Sequence, residues 1–278
     1  MYSTVDTLVI GNYCDAAALA AVATSSQPLE ILLCVFLGIG SGISILVSQM
    51  TGTGDRERLQ SLVRTSVFFL YAAALPLTVI GMLLGPQLLQ VMNVPADAMP
   101  YAVQYLRITT IGILGNMGYN FNAGILRGLG NSTSSLLLLG ISCTTNIILD
   151  LVLVAGLNMG ISGVAWATAA SMFLAWGFSI PYIRHFCPDL KFPVFPHGFD
   201  PCILRRMVRI GLPVGLNTAL YSVGHLFMQT ILNGQGAVFV AGCSVAGKVS
   251  GIANIAITSY SSAATVFAGQ NIGAENYL

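Results

Sequence analysis

Long apolar runs alternate with short polar punctuation along the whole chain, and stretches of about 20 apolar residues or more are what helices need to cross a hydrocarbon core roughly 30 Å thick. The pattern predicts membrane helices over residues 1–13, 18–48, 57–90, 98–126, 132–156, 160–184, 203–233 and 237–270. The first is too short to span alone and lacks the charged start and cleavage site of a signal peptide. The chain is therefore expected to begin inside a longer helix. The one long connector, residues 185–201, carries Pro188, Pro193, Pro196 and Pro201. It reads as a linker between two helical units, residues 1–190 and 191–278.

Composition narrows the class. The chain is 55% hydrophobic and 8% charged with a mean hydropathy of +0.79, against roughly a quarter charged in soluble domains. The expected fold is an all-α polytopic membrane bundle with no water-soluble domain left over. A net charge of +1 gives no reason to expect nucleic acid. The six cysteines lack CxxC or Cys/His spacing, so neither a disulfide framework nor a zinc site is indicated. HExxH, GxSxG and phosphate-loop motifs are missing, so an enzyme is not expected. Arg56, Arg58, Arg64, Arg127, Arg184, Lys191, Arg205, Arg206 and Arg209 fall on one side of the predicted spans. That side is expected to be cytoplasmic, with the protein multi-pass in the cell membrane, the first, third, fifth and seventh helices running outward and the long 185–201 loop in the cytoplasm.

Sliding the chain on itself by 221 residues pairs Asn12 with Asn233, Ala16 with Ala237, Ser41 with Ser262, Gln49 with Gln270 and Gly52 with Gly273 without a gap. A unit of six helices, an even number, gives two copies of the same orientation, the parallel-repeat plan of several secondary transporters. The second copy stops after two helices, so the chain is expected to be a fragment at both ends.

Within this apolar frame, Asp6 and Asp150 stand out, because an ionisable group in hydrocarbon is a functional-site hypothesis by default. Each lies about seven residues before the outer end of its helix, roughly 10 Å below the surface at 1.5 Å per residue. Tyr105 and Thr168 lie about eight residues into inward-running helices, at roughly 12 Å. Asn146 sits one turn from Asp150 on the same face. The set suits a proton or Na⁺, with Asp6, Asn146 and Asp150 as the Na⁺ ligands. The plainer alternative is a structural ion pair between Asp150 and Arg107. Glu30, Asn116, Asn120 and Lys248 are candidates for lining a substrate cavity, with structural pairing or helix-to-helix hydrogen bonding as the alternative. His225 reads as a buried hydrogen-bonded histidine, Pro76 and Pro213 as kinks, and Met117, Met159 and Met172 as packing residues that could also soften a cavity.

Several runs together resemble the multidrug and toxic compound extrusion (MATE) transporters, particularly the bacterial branch that includes the DNA-damage-inducible proteins. They are Val5-Asp6-Thr7, Val47-Ser48-Gln49 with Gly52, Gly124-Ile125-Leu126-Arg127-Gly128-Leu129-Gly130-Asn131, Asn146-Ile147-Ile148-Leu149-Asp150, Gly163-Val164-Ala165-Trp166-Ala167-Thr168, Gly211-Leu212-Pro213 and Gly269-Gln270-Asn271-Ile272-Gly273-Ala274. The resemblance implies twelve helices in two six-helix lobes around a cavity. It implies export of drugs or metabolites, often cationic, in exchange for H⁺ or Na⁺, with no cofactor and no obligate protein partner. It also implies that Asp6, Tyr105, Asn146, Asp150 and Thr168 form a first-lobe cation site; the repeat position of Asp6 is Phe227. The rival expectations are a lipid-linked saccharide flippase of the same superfamily, which would line its cavity with several Arg or Lys where this lobe offers mainly Arg107, and an inert truncated fragment.

Overall fold

In the computed structural model the chain is an all-α bundle. The structure describes residues 2–13, 16–92, 94, 97–188, 190–196, 198–233 and 237–276; within helices it leaves undescribed the side chains of residues 2–5, 7–8, 16–17, 19–20, 23–24, 26–32, 91, 225–226, 229–230, 232–233, 237–242, 244–249 and 252. Among the described residues the helices are α1 (Tyr2–Tyr13), α2 (Ala16–Thr53), α3 (Arg56–Val91), α4 (Met99–Ile111), α5 (Ile113–Gly128), α6 (Ser132–Asp150), α7 (Gly160–Phe186), α8 (Pro201–Asn233) and α9 (Ala237–Gly273). A π-helical stretch, Leu151–Gly156, continues α6. Four helical stretches among the described residues are long and apolar enough to cross a membrane: Leu33–Thr53, Arg56–Gln90, Ser132–Gly156 and Gly160–Phe186.

The helix starts follow from local chemistry. Asp55 caps α3 by accepting from the Arg58 N–H at 3.0 Å, and Asn131 caps α6 by accepting from the Ser134 N–H at 3.1 Å, each satisfying a donor that the first turn leaves open. The helix expected over 98–126 is interrupted at Gly112, so it appears as α4 and α5. A Cβ at that position would stand 3.1 Å from the Ala169 Cα of α7. The interruption therefore falls where two backbones approach closely.

α2 is the element against which α1, α3, α4, α5, α8 and α9 all pack. Its crossing with α8 is built from two small-residue pairs spaced four apart, Gly38 and Gly42 against Gly211 and Gly215. A Cβ on Gly42 would lie 2.9 Å from the Gly211 Cα, and one on Gly215 would lie 2.6 Å from the Val35 carbonyl oxygen. Apolar lipid supplies no hydrophobic drive for helix association, so such backbone contact and its dispersion energy hold helices together.

Buried apolar side chains form two clusters. One gathers Ile43, Leu46, Leu62, Phe121, Leu126 and Met207 from α2, α3, α5 and α8. The other gathers Ile10, Val22, Leu89, Tyr105, Val154 and Val164 from α1, α2, α3, α4, α7 and the π stretch. Asp6 sits on α1 one turn from Val9 and Ile10 of the second cluster.

The membrane-crossing stretch of α3 is 35 residues, about 50 Å at 1.5 Å per residue against a hydrocarbon core of roughly 30 Å. Its second half exposes Leu75, Val79, Ile80, Leu83, Leu84 and Leu88, whereas its first half exposes Arg56, Glu57, Arg58 and Arg64. The overhanging first half holds the 185–201 connector, which is a docked strap rather than a loose spacer. Gln60 exchanges two hydrogen bonds with the Lys191 backbone, at 2.6 and 2.8 Å. The Asp200 N–H donates to Thr65 Oγ1 at 3.1 Å, the Tyr71 hydroxyl donates to the Val194 carbonyl at 3.1 Å, and Phe68 stacks on Phe199.

The glycine crossing makes a clear prediction. Gly42→Leu or Gly215→Leu should lower stability by about 1–3 kcal/mol, the range for overpacking, and lower the thermal unfolding midpoint in detergent. Gly140→Ala, where a Cβ meets nothing within 4 Å, should leave the midpoint unchanged or raise it.

Candidate functional site

Four helices bring five polar side chains to one level. Asp6 comes from α1, Tyr105 from α4, Asn146 and Asp150 from α6, and Thr168 from α7. All five are buried, Asp150 to 0% and Asp6 to 1% exposure. The Tyr105 hydroxyl donates to Asp6 Oδ2 at 3.1 Å. The Thr168 hydroxyl lies 3.1 Å from Oδ2 and 3.3 Å from Oδ1 of the same carboxylate. Asn146 Nδ2 donates to Thr168 Oγ1 at 3.3 Å. A relay thus runs from Asn146 through Thr168 to Asp6, with Tyr105 closing on the same acid.

Asp150 lies one turn from Asn146 on α6, beside the relay rather than in it, and differs from Asp6 in one respect. Among the described residues no donor reaches either of its carboxylate oxygens, nor the Oδ1 of Asn146. Asp6 is near enough that the two carboxylates repel when both are ionised and can share a hydrogen bond when one carries a proton. A buried polar atom without a partner is unfavourable by roughly 1–3 kcal/mol, more when charged. Three such oxygens beside a second carboxylate form an acceptor set that a proton or a small cation complements. No group of three or more His, Cys, Asp or Glu side chains gathers among the described residues, so a cation here would be held by two carboxylates together with neutral oxygens. The structural pairing of Asp150 with Arg107 does not form: Arg107 is exposed and the Asp150 oxygens have no donor.

The backbone changes character immediately after Asp150. In the Leu151–Gly156 stretch the Leu157 N–H bonds the Val152 carbonyl at 2.9 Å and the Met159 N–H bonds the Leu153 carbonyl at 3.0 Å. The first closes five residues back, which is π geometry and occurs frequently at functional sites, and the second closes six back as the helix ends.

Asp6, Tyr105 and Thr168 also face a cavity of about 890 Å³. One wall is a face of α4 and α5 carrying Thr109, Asn116, Asn120 and Arg127, and the wall opposite carries Ser222 of α8 and Thr258, Ser259 and Ser262 of α9. Asn116 and Asn120 are joined within their helix, Asn120 Nδ2 donating to the Asn116 carbonyl at 2.8 Å and to its Oδ1 at 3.0 Å. Asn116 also points its amide at the Met172 sulfur, 3.7 Å away. Of the three methionines considered, Met172 lines the cavity, Met117 is buried in the core and Met159 is exposed. The side chains of Glu30, Lys248 and His225 lie outside the described residues.

Sequence reasoning missed Arg127 as a lining residue, because it was grouped with the loop-flanking charges. The signal is present in the spacing: Thr109, Ile113, Asn116, Asn120 and Arg127 recur at three-, four- and seven-residue steps, one face of a helix.

Comparison with known proteins bears on the whole arrangement. A family profile described as MatE matches residues 1–152. The probable multidrug resistance protein YpnP of Bacillus subtilis (strain 168) is 29% identical over 276 residues, covering 99% of this chain and 61% of that protein. The probable multidrug resistance protein YoeA of the same strain is 30% identical over 278 residues, covering 97% of this chain and 60% of that protein. The chain therefore spans about three fifths of the length of these relatives. A solved structure described as the outward-facing conformation of a multidrug resistance MATE family transporter of the MOP superfamily superposes with a TM-score of 0.89 at 24% identity, covering 99% of this chain and 61% of that one. The all-α bundle is thus that of a multi-pass membrane protein of this fold.

The unpartnered Asp150 oxygens give a stability prediction. Asp150→Leu should raise the thermal unfolding midpoint in Na⁺-free buffer, since removing a buried acceptor with no donor relieves about 1–3 kcal/mol. It should also remove any rise in midpoint that Na⁺ gives the unaltered protein. A fall in midpoint would mean that a partner holds the Asp150 carboxyl.

Proposed function

On the premise that this chain belongs to the MatE family, we propose that it works as a secondary antiporter, exporting drugs or metabolites in exchange for H⁺ or Na⁺, with Asp6, Tyr105, Asn146, Asp150 and Thr168 as its cation site. The observation that carries this reading is the buried relay ending on Asp6, which opens onto an 890 Å³ cavity, with the unpartnered Asp150 oxygens buried beside it. The runs from Val5-Asp6-Thr7 to Gly269-Gln270-Asn271-Ile272-Gly273-Ala274, taken together, support a place in the bacterial branch with the DNA-damage-inducible proteins. Probable multidrug resistance activity in YpnP and YoeA supports drugs as the substrate class.

In this reading residues 1–190 form a first lobe and residues 191–278 begin a second of the same plan in the cell membrane, with the Arg-rich side and the 185–201 strap in the cytoplasm. Reciprocal contacts support the two-fold relation. A Cβ on Gly52 would overlap the Gln270 carbonyl, and one on Gly273 would overlap the Gln49 carbonyl, so the positions paired by the 221-residue shift touch each other crosswise. These contacts hold α2 against α9 at the Arg-rich end. Alternating access then requires that they part while the cavity closes at the level of Asp6.

Cation binding has work to do only if it distinguishes the two states. The relay joins α1, α4, α6 and α7, so a cation that draws in the Asp150 and Asn146 oxygens changes how these helices meet. The π stretch beyond Asp150 supplies backbone that can tighten to α geometry as they move. The flippase reading calls for several basic residues in the cavity. Among the described lining residues Arg127 is the basic one, and Arg107 does not line the cavity.

In proteoliposomes with imposed H⁺ and Na⁺ gradients in turn, Asp150→Asn should abolish gradient-driven export while leaving folding intact. Tyr105→Phe and Thr168→Ala, each removing one hydrogen bond donated to the Asp6 carboxylate, should raise apparent H⁺ affinity about tenfold, because the ionised form loses a stabilising donor. Undiminished export by Asp150→Asn, or export indifferent to both gradients, would overturn the reading.

A further inference from the structure

The floor of the cavity carries a charge that the cation site does not use. Arg127, in the last turn of α5, lines it together with Ser132 and Ser135 from the start of α6. A guanidinium offers five N–H donors, and the contact made here is one at 3.5 Å to Ser135 Oγ. Among the described residues no carboxylate pairs with Arg127. Tyr119 beside it donates its hydroxyl to the Ser135 carbonyl at 2.8 Å. The neighbouring cavity wall is apolar, formed by Leu136, Leu139 and Ile113. A planar cation among apolar side chains, with most of its donors unspent, is matched by an oxyanion that its fork can grip.

Position separates this charge from the acids. Arg127 lies roughly 30 Å beyond Tyr105 along α4 and α5, so one small molecule does not bridge the two ends. The next layer toward the Arg-rich end is the α2–α9 contact, where Gln270 Nε2 donates to the Gly128 carbonyl at 3.2 Å. Parting that contact would make Arg127 the first charged group of the cavity met from the inner side. The amides opening α6 add a positive partial charge at the same level.

We propose that the inner end of the cavity is an anion subsite, and that the protein takes amphiphiles bearing a carboxylate or phosphate on an apolar body. Arg127 and the hydroxyls of Ser132 and Ser135 hold the anionic group, and the body lies along Leu136, Leu139 and Met172. This rests on reading the cavity as the substrate path.

The test is a binding measurement that needs no ion gradient, so its failure is distinct from failure of cation-coupled export. The protein in phosphatidylcholine nanodiscs is titrated with a dansylated undecanoic acid and with the corresponding primary amide. The acid should bind about tenfold or more tightly than the amide, as expected for charge-assisted hydrogen bonds. Arg127→Gln should erase that preference, Arg127→Lys should keep part of it because charge remains and the fork is lost, and Arg205→Gln, at an exposed site outside the cavity, should keep all of it. Including phosphatidylglycerol distinguishes the source: displacement of the acid probe identifies a lipid head group as occupant, and undiminished binding identifies a soluble amphiphile. Equal affinity of the unaltered protein for acid and amide overturns the proposal, as does full preference in a folded Arg127→Gln variant. Should that variant fail to fold, the acid and amide comparison in the unaltered protein decides.

Discussion

A carboxyl group with no exposed surface and no donor within reach, Asp150, sits in a helix whose neighbouring positions Ile147, Ile148, Leu151 and Val152 face outward as apolar surface. An apolar residue there would serve packing better. The rest of the arrangement follows from keeping this group in place. Asn146 one turn earlier adds an unpartnered oxygen, and Thr168 and Tyr105 turn their hydroxyls to Asp6 instead. The two acids are therefore not equivalent. Asp6 accepts from Tyr105 and Thr168 and faces the cavity, whereas Asp150 has no donor among the described neutral side chains and does not line the cavity, so a proton shared with Asp6 or a cation is what it can take.

Such a site needs stiff walls, because a relay of hydrogen bonds between 3.1 and 3.3 Å joining four helices is lost if one of them drifts. The stiffness comes from backbone contact. α5 presses on α7 where Gly115 and Gly118 admit Phe173 and Trp176, and α2 presses on α8 through its paired glycines. The strap between α7 and α8 is tied to the overhanging half of α3 by Gln60, Thr65 and Tyr71. Flexibility is left to other places: the Gly112 interruption between α4 and α5, and the π stretch after Asp150. Both flank elements that carry site residues.

Much of this was legible in the sequence. The apolar runs gave the helices almost to their ends, because span length is dictated by bilayer thickness. The count of 1.5 Å per residue put Asp6, Tyr105, Asp150 and Thr168 near one level with Asn146 a turn from Asp150, and the hydrogen bonds from Tyr105 and Thr168 to Asp6 follow from that level plus a shared interior. The break at Gly112 was not legible, since its cause is the approach of Ala169 from a helix distant in sequence. Neither was the π stretch: Leu151–Gly156 holds no Pro, and its one Gly stands at its last position. Arg127 does flank a loop, in the last turn of α5, and its cavity role went unread although its step from Asn116 and Asn120 already put it on the cavity face. The connector's prolines suggested a spacer, and the tertiary partners that tie it down lie more than a hundred residues away.

The central claim is that Asp6 and Asp150 jointly exchange a cation, and infrared difference spectroscopy of the carboxyl stretching band tests it most directly. On raising the pH or adding Na⁺, the account predicts loss of a protonated-carboxyl band in the unaltered protein, a loss missing from Asp150→Asn and altered in Asp6→Asn. A difference spectrum that is the same in all three proteins would contradict it.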